Sequence, residues 1–561
     1  MSYEIAEAAP VAGGKRQGES RVAMPETLWS RLAAIVEQDA FVNLLVIAAL
    51  GIGFFHGWLK LRFRSPITTF AFDLVVIVAL VVVYLRSGSL GRFFPQGPTT
   101  KALFAFYGLC LAYLPFSLIP GMPPFLVALS TLRGWVFASL LYGLGYQIIR
   151  GRSQLHGYFL VILILSVITA IYGIRQSDSE VLQMMQEDPF FARRYRGQGY
   201  VDAEGDFHVR RFSTFISSGG FGATMATAII LGCSLVLSPT ARVLEKTVIA
   251  LMIVPIGYGM VLSGSRSAAI TALVGCLGVL VARRRLGPSL VILAVIVIGG
   301  ALASQATGGG VLDRLATLNF RNLFYRFWYP TALGFEFMLG HPLGGGLGKT
   351  GFSPSFLIRL SDYSDYLAPD GDLGRLMVEF GVLGILLFGW LAWNAAKMMF
   401  QTVKDTKALP CGPLVLAAAT NLWISIAFVG VGSPFVGIPM GVLVWFFVGA
   451  AQRLREIETA PVLPDWSSMA SLHGRAVPGV GRDSVPPRPG PSLKPSRRFL
   501  FLDSQTVATP TPDPVSRDPI PPSPAPTPTP TRPPKASENA SVGPRPATKP
   551  GKGAKVFLYG P

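Results

Sequence analysis

The chain has 561 residues, of which 50% are hydrophobic and only 14% charged, whereas soluble domains carry about 25% charged residues. This composition excludes an ordinary soluble domain, and apolar runs of about 20 residues predict helices that cross a membrane. The net charge of +18 indicates basic loops beside a membrane and does not require nucleic acid as a partner.

The N-terminal region 1–39 is predicted to be cytoplasmic, with a short helix from Pro25 to Asp39 lying on the membrane surface. Residues 40–452 then form the membrane domain, an all-α polytopic fold of about twelve spans. The predicted spans are 40–58, 69–85, 101–119, 124–149, 156–174, 215–237, 246–262, 267–282, 288–304, 376–396, 412–430 and 433–451.

The distribution of Arg and Lys predicts the orientation of these spans. Six basic loops fall on one face, which the positive-inside rule assigns to the cytoplasm together with both termini. The loops 175–214 and 305–375 then lie outside, the second of them between spans nine and ten. The tail 453–561 contains more than half of the 45 prolines, and we expect it to be disordered and cytoplasmic.

The turn Ser263–Ser267 (SGSRS) is the first candidate site. A cation at the outer end of a membrane helix usually marks function. Arg266 and the hydroxyl of Ser265, next to the free amides of a helix start, suit a phosphate group. The alternative is that Arg266 only extends to the membrane interface.

The long outer loop supplies further cations. Arg321 and Arg326 belong to an aromatic-rich segment, Phe320–Met338, that resembles an interfacial helix. Its arginines would contact either a lipid-linked phosphate or ordinary lipid headgroups.

The stretch His341–Gly351 (HPLGGGLGKTG) resembles a nucleotide-binding loop but lacks one required glycine, since Leu343 occupies that position. We therefore exclude nucleotide binding. We expect a glycine turn that lets the backbone approach a substrate, with Lys349 as an additional cation.

Acidic residues precede the tenth span. Asp370 and Asp372 either cap the helix or act as a base in a membrane-depth cavity. Arg375 and Glu379 are four residues apart and can pair on one helix face.

Within the fourth span, Arg133 needs an internal partner, and Asp73 in the second span is one candidate. The four cysteines have no metal-ligand spacing, so neither a metal site nor a cofactor is predicted.

Taken in order, several motifs resemble the O-antigen ligase and Wzy-type polymerase family of bacterial envelope proteins. They are IYGIRQ (171–176), RRFSTF (210–215), SGSRSA (263–268), RFWYPTALGFEFMLGHPLGGGLG (326–348) and DGDLGRLMVEFGVLG (370–384). The resemblance covers roughly residues 40–450.

The resemblance implies a glycosyltransferase of the bacterial inner membrane. Its substrate would be a glycan on undecaprenyl pyrophosphate, and no metal or nucleotide would be needed. By motif position, Arg266 and Arg326 would bind the pyrophosphate. Arg211, Ser265, Arg321, Lys349 and Arg375 are the predicted substrate contacts. A chain-length regulator and other polysaccharide-assembly proteins are candidate partners, and nucleic acid is not.

One position departs from the ligases of this family, which carry His-Asn where this chain has Asp370-Gly371. Polymerases commonly carry an acidic residue there, so we expect a polymerase with Asp370 as the base. The reaction would invert the anomeric centre, because one direct displacement needs no covalent intermediate. A ligase that transfers glycan to lipid or protein is the alternative, and a transporter or flippase without chemistry is the second.

Overall fold

A computed structural model describes residues 39–63, 66–177, 179–181, 199–201, 207–283, 320–351, 367 and 371–460. All of these lie in one compact unit, Met1–Trp466; a second unit, Ser467–Pro561, lies outside the described residues. The predictions for the tail, for the surface helix 25–39 and for the ninth span therefore concern residues that the structure does not describe.

The described chain is predominantly helical. Its helices are α1 Ala40–Phe63, α2 Pro66–Ser87, α3 Leu90–Phe93, α4 Pro98–Tyr113, α5 Phe125–Ile148, α6 Arg152–Arg175, α7 Ser218–Val236, α8 Val243–Leu262, α9 Arg266–Arg283, α10 Phe320–Gly340, α11 Asp372–Thr406, α12 Gly412–Ala427 and α13 Met440–Thr459. A 3₁₀ turn, Leu114–Leu118, follows α4. Helices dominate because a bilayer offers no hydrogen bonds to the backbone.

Among the described residues, eight helices are long and apolar enough to cross a membrane, and α9 and α12 are shorter apolar helices. This confirms a helical membrane protein, while the predicted number of twelve spans is not confirmed. The helix α10 lies inside the predicted outer loop, as its aromatic pattern indicated. Among the described residues, the last helix ends at Thr459, beyond residue 453 where the predicted tail begins.

A short antiparallel ribbon qualifies the all-α prediction. Strand β1, Gly199–Val201, pairs with strand β2, Phe207–Val209, and Tyr200 lies opposite His208. Both strands belong to the predicted loop 175–214. Three residues a strand is too short for the alternating pattern on which sequence detection depends, which explains why the prediction missed it.

The core is packed most closely where α5 crosses α13. A Cβ added at Gly145 would lie 2.1 Å from the carbonyl oxygen of Phe446, and one at Gly449 would lie 1.9 Å from that of Tyr142. Small residues at such a crossing let two helix backbones touch, as is usual inside membranes. The same contact brings Gly134 of α5 close to Val436, which lies shortly before the start of α13.

Candidate functional site

The turn between α8 and α9 is built by its own serines. Ser263 donates its hydroxyl to the carbonyl of Met260 and accepts the N–H of Ser265 at 3.2 Å. Gly264 has a φ of +59°, a conformation that glycine adopts without strain. Ser265 in turn accepts the N–H of Ala268 at 3.4 Å, the arrangement of a helix N-cap. Arg266 therefore starts α9 from a turn whose shape is determined by local hydrogen bonds.

Two further arginines pack on this turn. The backbone N–H of Arg211 donates to the carbonyl of Leu262 at 3.2 Å. The side chain of Arg210 covers Gly264, where an added Cβ would lie 3.1 Å from its Cγ. We call Arg210, Arg211 and Arg266 the arginine patch. Neither 207–217 nor 262–268 contains an acidic residue, and all three arginines are partly exposed.

The segment that carries Arg210 and Arg211 is also bonded to α6 and α1. Gln176, which follows α6, accepts the N–H of Ser213 at 3.1 Å. Thr214 donates its hydroxyl to the carbonyl of Phe54 at 2.7 Å and accepts the N–H of Trp58 at 3.0 Å. The sequences IYGIRQ, RRFSTF and SGSRSA are thus one structural unit, although about 90 residues separate the first from the last.

A second unit joins the glycine loop His341–Gly351 to α11. The N–H groups of Gly345 and Gly346 donate to the carbonyls of Val378 and Glu379 at 2.7 and 3.1 Å. These carbonyls are available because α11 is kinked at Gly381, whose φ is 60° and ψ is −143°. The glycines therefore permit a close backbone approach to α11, while the predicted approach to a substrate stays a prediction.

Glu379 holds the two parts of this unit together. It is fully buried, and its carboxylate accepts the indole N–H of Trp135 at 2.7 Å and the hydroxyl of Thr350. The N–H of Gly348 also donates to it. We call Glu379, Trp135 and Thr350 the carboxylate clasp. It connects α5, the glycine loop and α11, and a buried carboxylate with three donors is well satisfied.

The start of α11 is fixed by a third set of contacts. Asp372 is fully buried and accepts the N–H of Phe435 at 2.9 Å. Its own N–H donates to the carbonyl of Gly432 at 2.9 Å. Asp372 therefore bonds to the chain before α13 and does not cap its own helix, where Gly371 is the N-cap residue.

Arg375 lies inside this arrangement. Its side chain is 11% exposed and its guanidinium lies 3.7 Å from the Asp372 carboxylate. The ion pair in the structure is thus with Asp372, whereas the sequence spacing suggested Glu379.

The arginine patch and the carboxylate clasp lie at the same end of the bundle. Gly53, near the end of α1 that contacts Thr214, packs on Phe72 of α2. The neighbouring Asp73 pairs with Arg133 of α5 at 2.9 Å, which confirms the partner predicted for Arg133. Trp135 of the carboxylate clasp follows Arg133 by two residues in α5, so the clasp lies toward the same end of the bundle as the arginine patch.

The structure describes the remaining predicted site residues only in part. Lys349 is partly exposed, and its carbonyl accepts the N–H of Leu367 at 3.1 Å. Arg321 and Arg326 lie on α10, and only their backbone is described. Asp370 lies outside the described residues.

Within the described ranges, no group of three or more His, Cys, Asp or Glu side chains is arranged to bind a metal ion. Sequence reasoning missed Trp135, Thr350 and Gln176. A Glu or Gln in or next to an apolar helix indicates a polar side chain that needs a hydrogen-bond partner. The identity of that partner depends on which helices are in contact.

A scan against protein-family models and a search among curated proteins give no match.

Proposed function

We propose that the protein is a glycosyltransferase of the bacterial inner membrane that polymerises glycan repeat units. The donor is an oligosaccharide on undecaprenyl pyrophosphate, and the acceptor is a hydroxyl of a second glycan at the outer face. The acceptor oxygen attacks the anomeric carbon, the bond to the pyrophosphate oxygen breaks, and the acceptor proton passes to a base. The lipid pyrophosphate leaves with the bonding electron pair.

The arginine patch is the observation that carries this proposal. Three cations meet at one turn at the end of the helical bundle, because Arg210 and Arg211 pack on the turn that carries Arg266, and neither 207–217 nor 262–268 has an acidic residue. A departing pyrophosphate carries two or more negative charges. Fixed cations beside a low-dielectric membrane stabilise such a leaving group more than water does.

We assign different roles to the arginines and to the serine at this turn. Arg211 and Arg266 are the proposed pyrophosphate contacts. Ser265 uses its hydroxyl to accept the Ala268 N–H and to bond Ser267 at 3.1 Å, so it positions Arg266. Arg326, Arg321 and Lys349 are proposed as further cations of the donor site, and Asp370, next to the anchored start of α11, as the base.

Two alternatives remain. A ligase would use the same donor and leaving group, so the arginine patch does not distinguish it from a polymerase. The transporter alternative was motivated by Arg133 and Asp73 inside the membrane. Because these residues form an ion pair with each other, their charges are matched without a transported ion.

A deletion strain complemented with variants tests the proposal. Deletion should leave single lipid-linked repeat units and no polymer, which Arg211→Gln and Arg266→Gln should reproduce with rates about 10²–10³-fold lower. Arg62→Gln, an exposed cation of α1, is the matched control and should restore polymer.

The accumulated intermediate decides between the candidate functions. Long undecaprenyl-linked chains would indicate a ligase. Purified protein that forms no glycosidic bond from lipid-linked donor, with normal polymer in the deletion strain, would exclude both transferases.

A further inference from the structure

A pocket at the other end of the bundle contains two arginines around one carboxylate. It opens where α1 begins and where α2 and α5 end, opposite the arginine patch. Asp39 Oδ1 lies 2.6 Å from the guanidinium of Arg86, and Asp39 Oδ2 lies 3.7 Å from that of Arg150. Two guanidinium cations thus face one carboxylate, so these three side chains together carry a net positive charge.

Most of the hydrogen-bonding capacity of these arginines is directed away from Asp39. Each guanidinium has five N–H donors, and Asp39 can engage only a few of them. The side chains of Arg86 and Arg150 are 51% and 48% exposed. In the part of the chain that the structure describes, Asp39 is the ion-pair partner of both. The pair therefore presents a fork of donors to the pocket mouth.

Asp39 is itself held in an unusual conformation. Its φ is 129°, a value that a residue with a side chain seldom adopts. Strained backbone of this kind persists where surrounding contacts over-determine it, and it is frequent at ligand sites. The Asp39 carboxylate contacts both arginines and so holds their guanidinium groups near each other.

The inner walls of the pocket are aliphatic. Val42, Val83 and Ile148 are almost fully buried and line it together with the charged residues. The volume is about 90 Å³, whereas one water needs roughly 10–15 Å³. A pocket of this size has room for a phosphate group, and basic pockets at the ends of membrane helices match the headgroups of anionic lipids.

We propose that this pocket binds the phosphate headgroup of an anionic phospholipid, in the leaflet opposite the arginine patch. Arg86 and Arg150 bind the phosphate, and Asp39 keeps them in register. This site is independent of the proposed glycosyl transfer and needs no catalytic residue.

The test uses the full-length protein in bilayer discs of phosphatidylcholine with a minor share of phosphatidylglycerol. Native mass spectrometry counts the lipids retained after release from the disc. Wild type should retain phosphatidylglycerol in preference to phosphatidylcholine. The double variant Arg86→Gln/Arg150→Gln should lose this preference by about fivefold for each arginine.

Two further variants make the result specific. Lys101→Gln/Lys246→Gln removes the same charge from the starts of α4 and α8, at the same end of the bundle, and should retain phosphatidylglycerol as wild type does. Ser87→Phe fills the pocket without removing a charge and should lose it. Equal loss in the lysine control, unchanged retention in both pocket variants, or displacement of the lipid by inorganic phosphate would each overturn the proposal.

Discussion

At the scale of single residues, the carboxylate clasp shows how a buried charge is accommodated. Glu379 lies within a membrane-spanning helix, where an unmatched carboxylate would be costly. Its donors come from α5 and from the glycine loop, so the same contacts that stabilise the charge also fix the loop. Removing one donor should therefore weaken the whole unit.

Trp135→Phe tests this directly, because it removes the indole N–H and keeps an aromatic ring. We expect a loss of stability of about 1.5–3 kcal/mol, the usual value for a hydrogen bond to a charged group. The measurement is the thermal unfolding of the protein in detergent. Trp445→Phe is the control, since Trp445 is also buried and packs on Phe435. Equal destabilisation by both would show that ring volume, and not the bond to Glu379, is responsible.

At the scale of elements, the kink in α11 determines where the glycine loop docks. Gly381 has a positive φ, and a Cβ there would lie 2.0 Å from the carbonyl oxygen of Pro342. The N–H of Val382 donates to that same carbonyl at 2.9 Å. The kink thus exchanges bonds within the helix for bonds to the loop.

Gly381→Ala should separate the loop from the helix, because both the positive φ and the added Cβ oppose the native contact. We expect destabilisation of more than about 2 kcal/mol, since a residue with a Cβ in this nearly glycine-only backbone conformation alone costs about 1–3 kcal/mol. Gly389→Ala lies in the same helix with open space around it and should stabilise by about 0.5–1 kcal/mol. Thermal unfolding of the two variants checks both signs; a stable Gly381→Ala protein would contradict the docking argument.

At the scale of the whole molecule, the arginine patch lies where α8 ends and α9 begins, and the pocket of Asp39, Arg86 and Arg150 lies at the opposite end of the described helices. Gly219 at the start of α7 and Ala408 after α11 are exposed at these two ends. The four native cysteines are all buried and give little background in a labelling experiment.

An impermeant maleimide applied to intact spheroplasts should label Gly219→Cys and should label Ala408→Cys only after the membrane is permeabilised. This follows if the arginine patch lies at the outer face. The wild-type protein is the control for background. Labelling of Ala408→Cys in intact spheroplasts would reverse the orientation and remove the proposed access to an outer-face substrate.

Composition and hydropathy alone predict a helical membrane protein and the approximate positions of its helices. Hydrocarbon thickness sets the length of an apolar run, and every predicted span except 288–304 overlaps a described helix. The sequence also indicated the partner of Arg133, because few charges exist inside the membrane and Asp73 was one of them. It singled out SGSRS and RRFSTF as separate motifs.

The contacts between distant segments are visible only in the folded chain. These motifs form one patch, the glycines of 341–351 contact α11, and Glu379 binds Trp135 and Thr350. These results depend on which helix ends meet, and a pattern of apolar residues encodes the length of a helix but not its neighbour. Inside a membrane every helix is apolar on most sides. The positions of the glycines and of a few polar groups therefore determine which helices are in contact. The partners of these polar groups are distant in the sequence.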